Sequence, residues 1–353
     1  MSAGIFWSTE GAVAIAYPEP ERRGRSISIW LSLSQLGIVI GGAINLATNI
    51  NTSVAGGVGV KTYTVFVALQ CLGPLVALLL SNPDQVHRRD SQPVRIASSL
   101  SVLDEIKATL KVWARPHTLI LSIVFVQCQW GAAVTSTFVA DFFTVRARAL
   151  NSLAVAVLCW VCFYPFGRYL DAKRFSVRFR ATSSAAFIFT WLAAGWIWYF
   201  VNLVHFSRQS PGPVFDWTDA GWGNAWFSYV MYSLPQQLLY NWLFWVVSFL
   251  SSPDDPEDHV RYVGILRSAE CVASTLSFAV SATSVPIVRA AAINLALFAA
   301  SVRAVAHTLW YISKRDRAGL LVRTNHGEQE HARAKVARTG SPDSGSFNDE
   351  KTE

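Results

Sequence analysis

Ser183-Ser-Ala-Ala-Phe-Ile-Phe-Thr-Trp-Leu-Ala-Ala-Gly-Trp-Ile-Trp-Tyr-Phe-Val-Asn-Leu203 is a run of 21 residues without a single charge. At 1.5 Å per residue a helix of this length reaches about 30 Å, the thickness of the hydrocarbon core of a bilayer. The apolar residues do not alternate with polar ones, so the period of a barrel strand is missing. Helices and closed barrels are the structures that satisfy their own backbone in lipid, and the run therefore reads as a membrane-spanning helix. Eight further blocks carry the same signal, at about 3–17, 27–48, 63–80, 117–143, 150–166, 225–250, 262–283 and 287–312. The expected fold class is all-α, a polytopic membrane protein with about nine transmembrane helices.

Composition agrees. Of 353 residues, 52% are hydrophobic, 13% aromatic and 15% charged, against about 25% charged in soluble domains. Mean hydropathy is +0.31. The net charge of +7 does not indicate nucleic acid, because Lys and Arg sit in short loops and at the C-terminus, not on an aromatic-interleaved face. They fall mostly on one side: Arg22, Arg23 and Arg25; the stretch from Arg88 to Arg115; Arg168 to Arg180; Arg261 and Arg267; and the tail. The positive-inside rule makes that side cytosolic, the C-terminus included. The sequon Asn51-Thr-Ser53 falls on the opposite side, which makes Asn51 a glycosylation candidate. From Lys314 onward the chain is polar, with one aromatic residue, Phe347, and is expected to be a disordered tail.

No enzyme chemistry is legible. His-Glu-x-x-His, Gly-x-Ser-x-Gly and Gly-x-x-x-x-Gly-Lys are missing, and the seven histidines are scattered. Cys159-Trp-Val-Cys162 has the spacing of a metal or redox pair but no second pair accompanies it; all five cysteines lie in apolar blocks. Neither metal nor cofactor is expected. The expected partners are the lipid bilayer, a small-molecule or ion substrate, and a membrane-protein partner, without nucleic acid.

Polar residues inside the spans are the functional candidates. Glu10 in the first block is either a proton or cation site or a structural carboxylate. Gln35, Asn45, Gln127 and Gln129 suit interhelical hydrogen bonding. Gln236, Gln237 and Asn241 follow Pro235, which frees a carbonyl and can kink a helix. Arg267 and Glu270 lie three apart and suit a local pair. Arg303 and His307 lie four apart and face either a cavity or the interface. Gly37 and Gly41 form a close-packing face, and Trp217, Trp222 and Trp226 an aromatic belt. Between the third and fourth blocks, Ser101-Val-Leu-Asp104-Glu105 resembles a capping box. Leu103, Ile106, Leu110 and Trp113 then recur at spacings of 3, 4 and 3. This predicts a short amphipathic helix, lying on the membrane surface or against the cytosolic ends of the bundle.

The opening, Gly4-Ile-Phe-Trp-Ser-Thr-Glu10-Gly-Ala through Tyr17-Pro-Glu-Pro-Glu-Arg-Arg-Gly-Arg25, with Trp30 and Gly41-Gly-Ala-Ile-Asn45-Leu, resembles the uncoordinated-ninety-three-like branch of the major facilitator superfamily. The resemblance implies two six-helix bundles joined by a cytosolic loop, with this chain entering the plan at its fourth helix. On that plan residues 1–81 are a partial N-terminal bundle of three helices and 82–116 a cytosolic linker. Residues 117–313 form a six-helix C-terminal bundle and 314–353 the tail. It implies alternating-access transport; some animal relatives are instead described as regulators or trafficking partners of other membrane proteins, and an inactive, incomplete product is a further alternative. Gly167-Arg168-Tyr-Leu-Asp171 looks like a degenerate copy of the superfamily's Gly-x-x-x-Asp gating loop, with Arg178 close by. The expectation is that Gly167 permits close helix contact and that Asp171 pairs with Arg267 or with the N-terminus of the eighth block. An ordinary positive loop is the alternative.

Overall fold

The computed structural model describes residues 10–11, 13–15, 17–51, 60–79, 101–250 and 258–318. Helical residues 10–11 and 13–15 precede a 3₁₀ turn at Pro20–Arg22, which leads into α1 (Arg23–Asn49). Then come α2 (Val60–Ala77), α3 (Val102–Trp113), α4 (Pro116–Phe142), α5 (Val145–Leu170), α6 (Val177–Ser207), α7 (Trp222–Val247), α8 (Asp258–Ser281) and α9 (Ile287–Arg317). Among the described residues the extended pairing is one isolated parallel bridge, Phe143 to Phe215.

The helix starts follow from local chemistry. Pro116 occupies the first turn of α4, where its missing N–H costs nothing. The side chains of Ser101, Thr144 and Ser176 accept the Asp104, Ala147 and Phe179 amides at the starts of α3, α5 and α6. Each removes one unpaired donor. Gly221, at φ 100°, makes the left-handed turn into α7, a conformation that a side chain disfavours. At its far end α9 runs to Arg317, so residues 314–317 are helix and not tail as expected. Arg315 explains this: its Nη1 donates to Phe249 O at 3.1 Å and Leu250 O at 3.0 Å, tying α9 to the carbonyls beyond α7. The rest of the expected tail lies outside the described residues.

Among the described residues six helices, α1, α4, α5, α6, α8 and α9, are long and apolar enough to cross a membrane. Of the nine expected spans, the first lies largely outside the described residues, and α2 contains a shorter apolar helix, Thr62–Val76. Helix α7 has 26 residues but carries Asn224, Gln236, Gln237 and Asn241. It is also the innermost helix: from Leu238 to Val247 every residue is buried. A helix buried on all sides needs no polar face, and its amides can be matched by neighbours. Large apolar side chains such as Leu33, Phe187, Ile197 and Trp310 are exposed on the outside, as lipid solvation requires.

Close approach is set by glycine at particular carbonyls. Pro235 removes the amide that would bond to the carbonyl four residues earlier, which is that of Met231. There α6 comes closest: a Cβ on Gly195 would stand 2.3 Å from Met231 O. The chain thus places its smallest residue over the carbonyl to which Pro235 cannot donate. Helix α2 is exposed along most of its length; its Thr62 hydroxyl meets Thr48 Oγ1 at 2.7 Å and accepts from Asn49 Nδ2 at 3.2 Å.

Candidate functional site: a buried charge cluster and a helix-end latch

Four segments converge on Arg267. Its Nη2 lies 3.3 Å from Glu10 Oε1 and its Nη1 3.1 Å from Glu270 Oε2. Nη1 also donates to the Tyr240 hydroxyl, and Tyr240 donates to Glu270 Oε2 at 3.4 Å. The guanidinium stands over three rings, Phe244 at 5.1 Å, Tyr240 at 5.4 Å and Trp30 at 5.5 Å. Glu10 comes from the first segment, Trp30 from α1, Tyr240 and Phe244 from α7, and Arg267 with Glu270 from α8. Beside Glu10, Gly11 lets that segment sit on Phe244 and Val263, with its would-be Cβ 3.2 and 3.0 Å from them. The side chains of Arg267 and Glu270 are 6% and 5% exposed. Buried charges at membrane depth persist when paired. Fully ionised, these two carboxylates and one guanidinium carry one negative charge between them. One proton or one cation neutralises the group, and this is its chemical capability.

A second set of polar contacts ties α1 and α4 to α7. Asn241 Nδ2 donates to Ser28 Oγ at 2.9 Å. Gln236 Nε2 donates to the Cys128 carbonyl at 2.7 Å, and Gln127 Nε2 to Gln236 Oε1 at 3.4 Å. Gln35 is buried on α1 and Gln237 is half-buried on α7. Asn45 lies elsewhere, near the end of α1, where its carbonyl and side-chain oxygens accept from Asn49. Asn51 is exposed just past that end. Arg303 is exposed on the outside of α9, so it does not join the interior polar groups with which the sequence grouped it. A long helix in lipid is apolar on both faces, and hydropathy does not say which one turns inward.

The latch lies where α5 ends. Asp171 Oδ1 accepts the Gly24 amide at 2.9 Å and Oδ2 the Arg25 amide at 2.8 Å. The Arg25 side chain stands 3.9 Å from Oδ2. Asp171 is buried, and burial pushes its carboxyl above the usual range, against the pull of the Arg25 and Gly24 amides. The contact is glycine on glycine: a Cβ on Gly24 would lie 2.5 Å from Asp171 Oδ1, and one on Gly167 2.7 Å from Gly24 O. The expected partners of Asp171 were wrong. Its acceptor role at a helix N-terminus is as the motif implies, but the helix is α1, not α8, and Arg267 belongs to the charge cluster. Loop charge assigns a side of the membrane and not a neighbour, whereas Gly24 opposite Gly167 fixes the approach. Arg168 and Arg178 are exposed; the Arg178 amide donates to Asp316 Oδ2 at 3.4 Å.

Sequence reasoning quoted Trp30 for the resemblance alone, without a role in a site, and passed over Tyr240, since aromatic residues are common in such helices. It also passed over Asp216, which holds the loop between α6 and α7. Asp216 Oδ1 accepts Arg146 Nε at 2.8 Å and Thr144 Oγ1 at 2.7 Å, and Oδ2 accepts Thr218 Oγ1 at 3.0 Å. The Arg146 guanidinium holds this carboxyl well below its usual range.

No family model matches the chain. It is 34% identical over 331 residues to notoamide biosynthesis cluster protein O′ of Aspergillus versicolor, covering 93% of this chain and 70% of that protein. It is 25% identical over 336 residues to an UNC93-like protein of Schizosaccharomyces pombe, covering 91% and 64%. With UNC93-like protein 1 of Arabidopsis thaliana it shares 23% identity over 322 residues, covering 89% and 69%. The all-helical bundle and these relatives agree with the resemblance carried by residues 4–46, and the chain belongs to the UNC93-like branch of the major facilitator superfamily.

Proposed function

We propose that the chain works in a membrane transporter of the alternating-access type, with Glu10, Arg267 and Glu270 as its proton- or cation-responsive centre. The observation that supports this reading is the Glu10–Arg267 pair, which joins the first segment to α8 across buried space. In alternating access, helix bundles rock about a central site. A pair made across the contact can break in one state and form in the other, and protonating Glu10 removes the charge–charge attraction that holds it. The latch of Asp171 makes a separate contact, between the start of α1 and the end of α5. No catalytic step is assigned, and an enzyme activity is not part of the proposal.

The test is flux. The full-length protein is reconstituted in liposomes holding a pH dye, and solutes are screened under a proton gradient. A relative named for a notoamide biosynthesis cluster makes products of such clusters the first solutes to try. Coupled flux that Glu10→Gln abolishes, in a protein that still folds and inserts, is the expected result. Flux with the same pH dependence in Glu10→Gln overturns the assignment of Glu10. The second reading is a non-transporting partner of another membrane protein. It is favoured by α2, whose apolar side chains, among them Tyr63 at 58% and Leu75 at 62%, are exposed. Co-purification of a stoichiometric membrane protein, together with no flux, would select it.

A further inference from the structure

Helix α3 has three faces. Leu103, Ile106, Leu110 and Trp113 form a stripe that is 69%, 51%, 51% and 44% exposed. On the opposite face Val112 is buried, and Glu105 accepts Arg261 Nε at 2.8 Å and Arg261 Nη2 at 3.1 Å. Along one edge of the stripe stand Lys107 and Lys111, both exposed. With 3.6 residues per turn, these positions divide the helix into an apolar sector, a basic edge and a sector turned to α8. The last is locked twice over, because Asp258 holds both Arg261 at 3.2 Å and Arg115 at 2.6 Å. The helix is therefore fixed about its axis with its apolar stripe turned away from the protein.

We propose that α3 docks on the nearer leaflet of the membrane, the stripe in the headgroup–acyl boundary and Lys107 and Lys111 on anionic headgroups. Two observations select lipid as the occupant. The stripe continues the outer surface of a spanning helix: Trp113 Nε1 donates to Ser122 Oγ of α4 at 3.1 Å, beside Leu119 and Ile123, which are exposed. An indole with its N–H on a polar partner and its ring exposed suits the interface. The charge also fits: an apolar face flanked by lysines whose long stems reach past it is the pattern of helices lying in an anionic interface. Asp104 pairs with Lys107 at 3.3 Å on an exposed edge, where headgroup phosphates compete for the same ammonium. Through Glu105 and Arg261 the seated helix also holds the start of α8, six residues before Arg267. Leaflet charge thereby bears on the helix that carries the buried cluster. The seat itself does not depend on the transport reading.

The experiment uses the full chain in nanodiscs of phosphatidylcholine alone or with about a third phosphatidylserine. Each basic residue near an anionic surface strengthens seating by about fivefold. Hydrogen exchange over residues 105–113 should slow by roughly 5- to 25-fold in the anionic discs, and Lys107→Glu/Lys111→Glu should abolish that difference. Equal exchange in the two compositions for the unaltered protein overturns the proposal without recourse to any variant. So does slow exchange in detergent alone that lipid does not change, which would place the stripe on protein.

Discussion

Gly167→Ala puts a methyl group where α1 crosses α5. The new Cβ would lie 2.2 Å from Ser28 Oγ, 2.6 Å from Ser28 Cβ and 2.7 Å from Gly24 O. A hydroxyl can rotate away, but a Cβ and a carbonyl move only with the helix. Restoring an ordinary 3.4 Å contact to that carbonyl requires α1 to retreat by about 0.7 Å, which stretches the Gly24–Asp171 bond of 2.9 Å to about 3.6 Å, beyond hydrogen-bonding range. Overpacking of this kind costs about 1–3 kcal/mol. A weakened bond to a carboxylate adds about 1 kcal/mol or more, and better helix propensity returns up to about 1 kcal/mol. The expected net loss is about 2 kcal/mol, read as a lower melting temperature in detergent at neutral pH. Gly37→Ala on α1 is the matched control, since its Cβ meets nothing within 4 Å; it should be neutral or slightly stabilising. Equal melting temperatures for Gly167→Ala and Gly37→Ala would refute the close-contact argument, and with it the latch geometry.

Two further substitutions test separate contacts. Asp216 has a folded-state pKa below its unfolded value, so its contribution is present above about pH 4 and fades as pH falls through the folded value. Asp216→Asn should therefore melt lower than the unaltered protein at pH 7, by about 1–3 kcal/mol, with the gap closing below about pH 4; a gap constant from pH 7 to 3 contradicts the Arg146 pairing. Ser28→Ala removes the hydroxyl that accepts from Asn241 Nδ2, and a double-mutant cycle with Asn241→Leu should give a coupling of about 0.6–1.7 kcal/mol; additive effects would show that the contact contributes nothing.

Much of this architecture was legible, because lipid imposes a simple rule on sequence. A run such as 183–203 has one physical solution, and α6 occupies it. The amphipathic helix was legible for the same reason: the Ser101 cap and the spacing of Leu103, Ile106, Leu110 and Trp113 fix both its start and its stripe. The face it presents was not, since that depends on Arg261, 156 residues beyond Glu105. The role of Asp171 as an acceptor at a helix end was legible from its motif, yet its partner was not, because two helix starts and several arginines share the same side. Arg303 shows the limit of hydropathy, which ranks spans by how apolar they are. In a bundle solvated by lipid the outer face is as apolar as the inner one, so an exposed arginine and a buried one carry the same signature. Arg267 differs from Arg303 only through Glu10, Glu270 and the three rings around it.

Residues 10–28 concentrate the contacts that matter for the proposed function. Glu10 reaches Arg267 of α8, Gly24 and Arg25 hold Asp171 at the end of α5, and Ser28 meets Asn241 of α7. These are three different helices, all contacted from one short stretch. Its separation from them would break an ion pair, two amide–carboxylate bonds and an interhelical hydrogen bond together. Bonds to charged groups contribute about 1.5–3 kcal/mol each and neutral bonds between membrane helices rather less, so the sum amounts to several kcal/mol. A cost of that size holds one arrangement strongly over another, and a ligand or proton must bind the other arrangement more tightly by a comparable amount to shift it. Neutralising Glu10 acts on the buried contact, while the Asp171 bonds stay intact at the helix end. On the proposed reading, then, protonation weakens the closed arrangement without dissolving it, and substrate binding supplies the remainder.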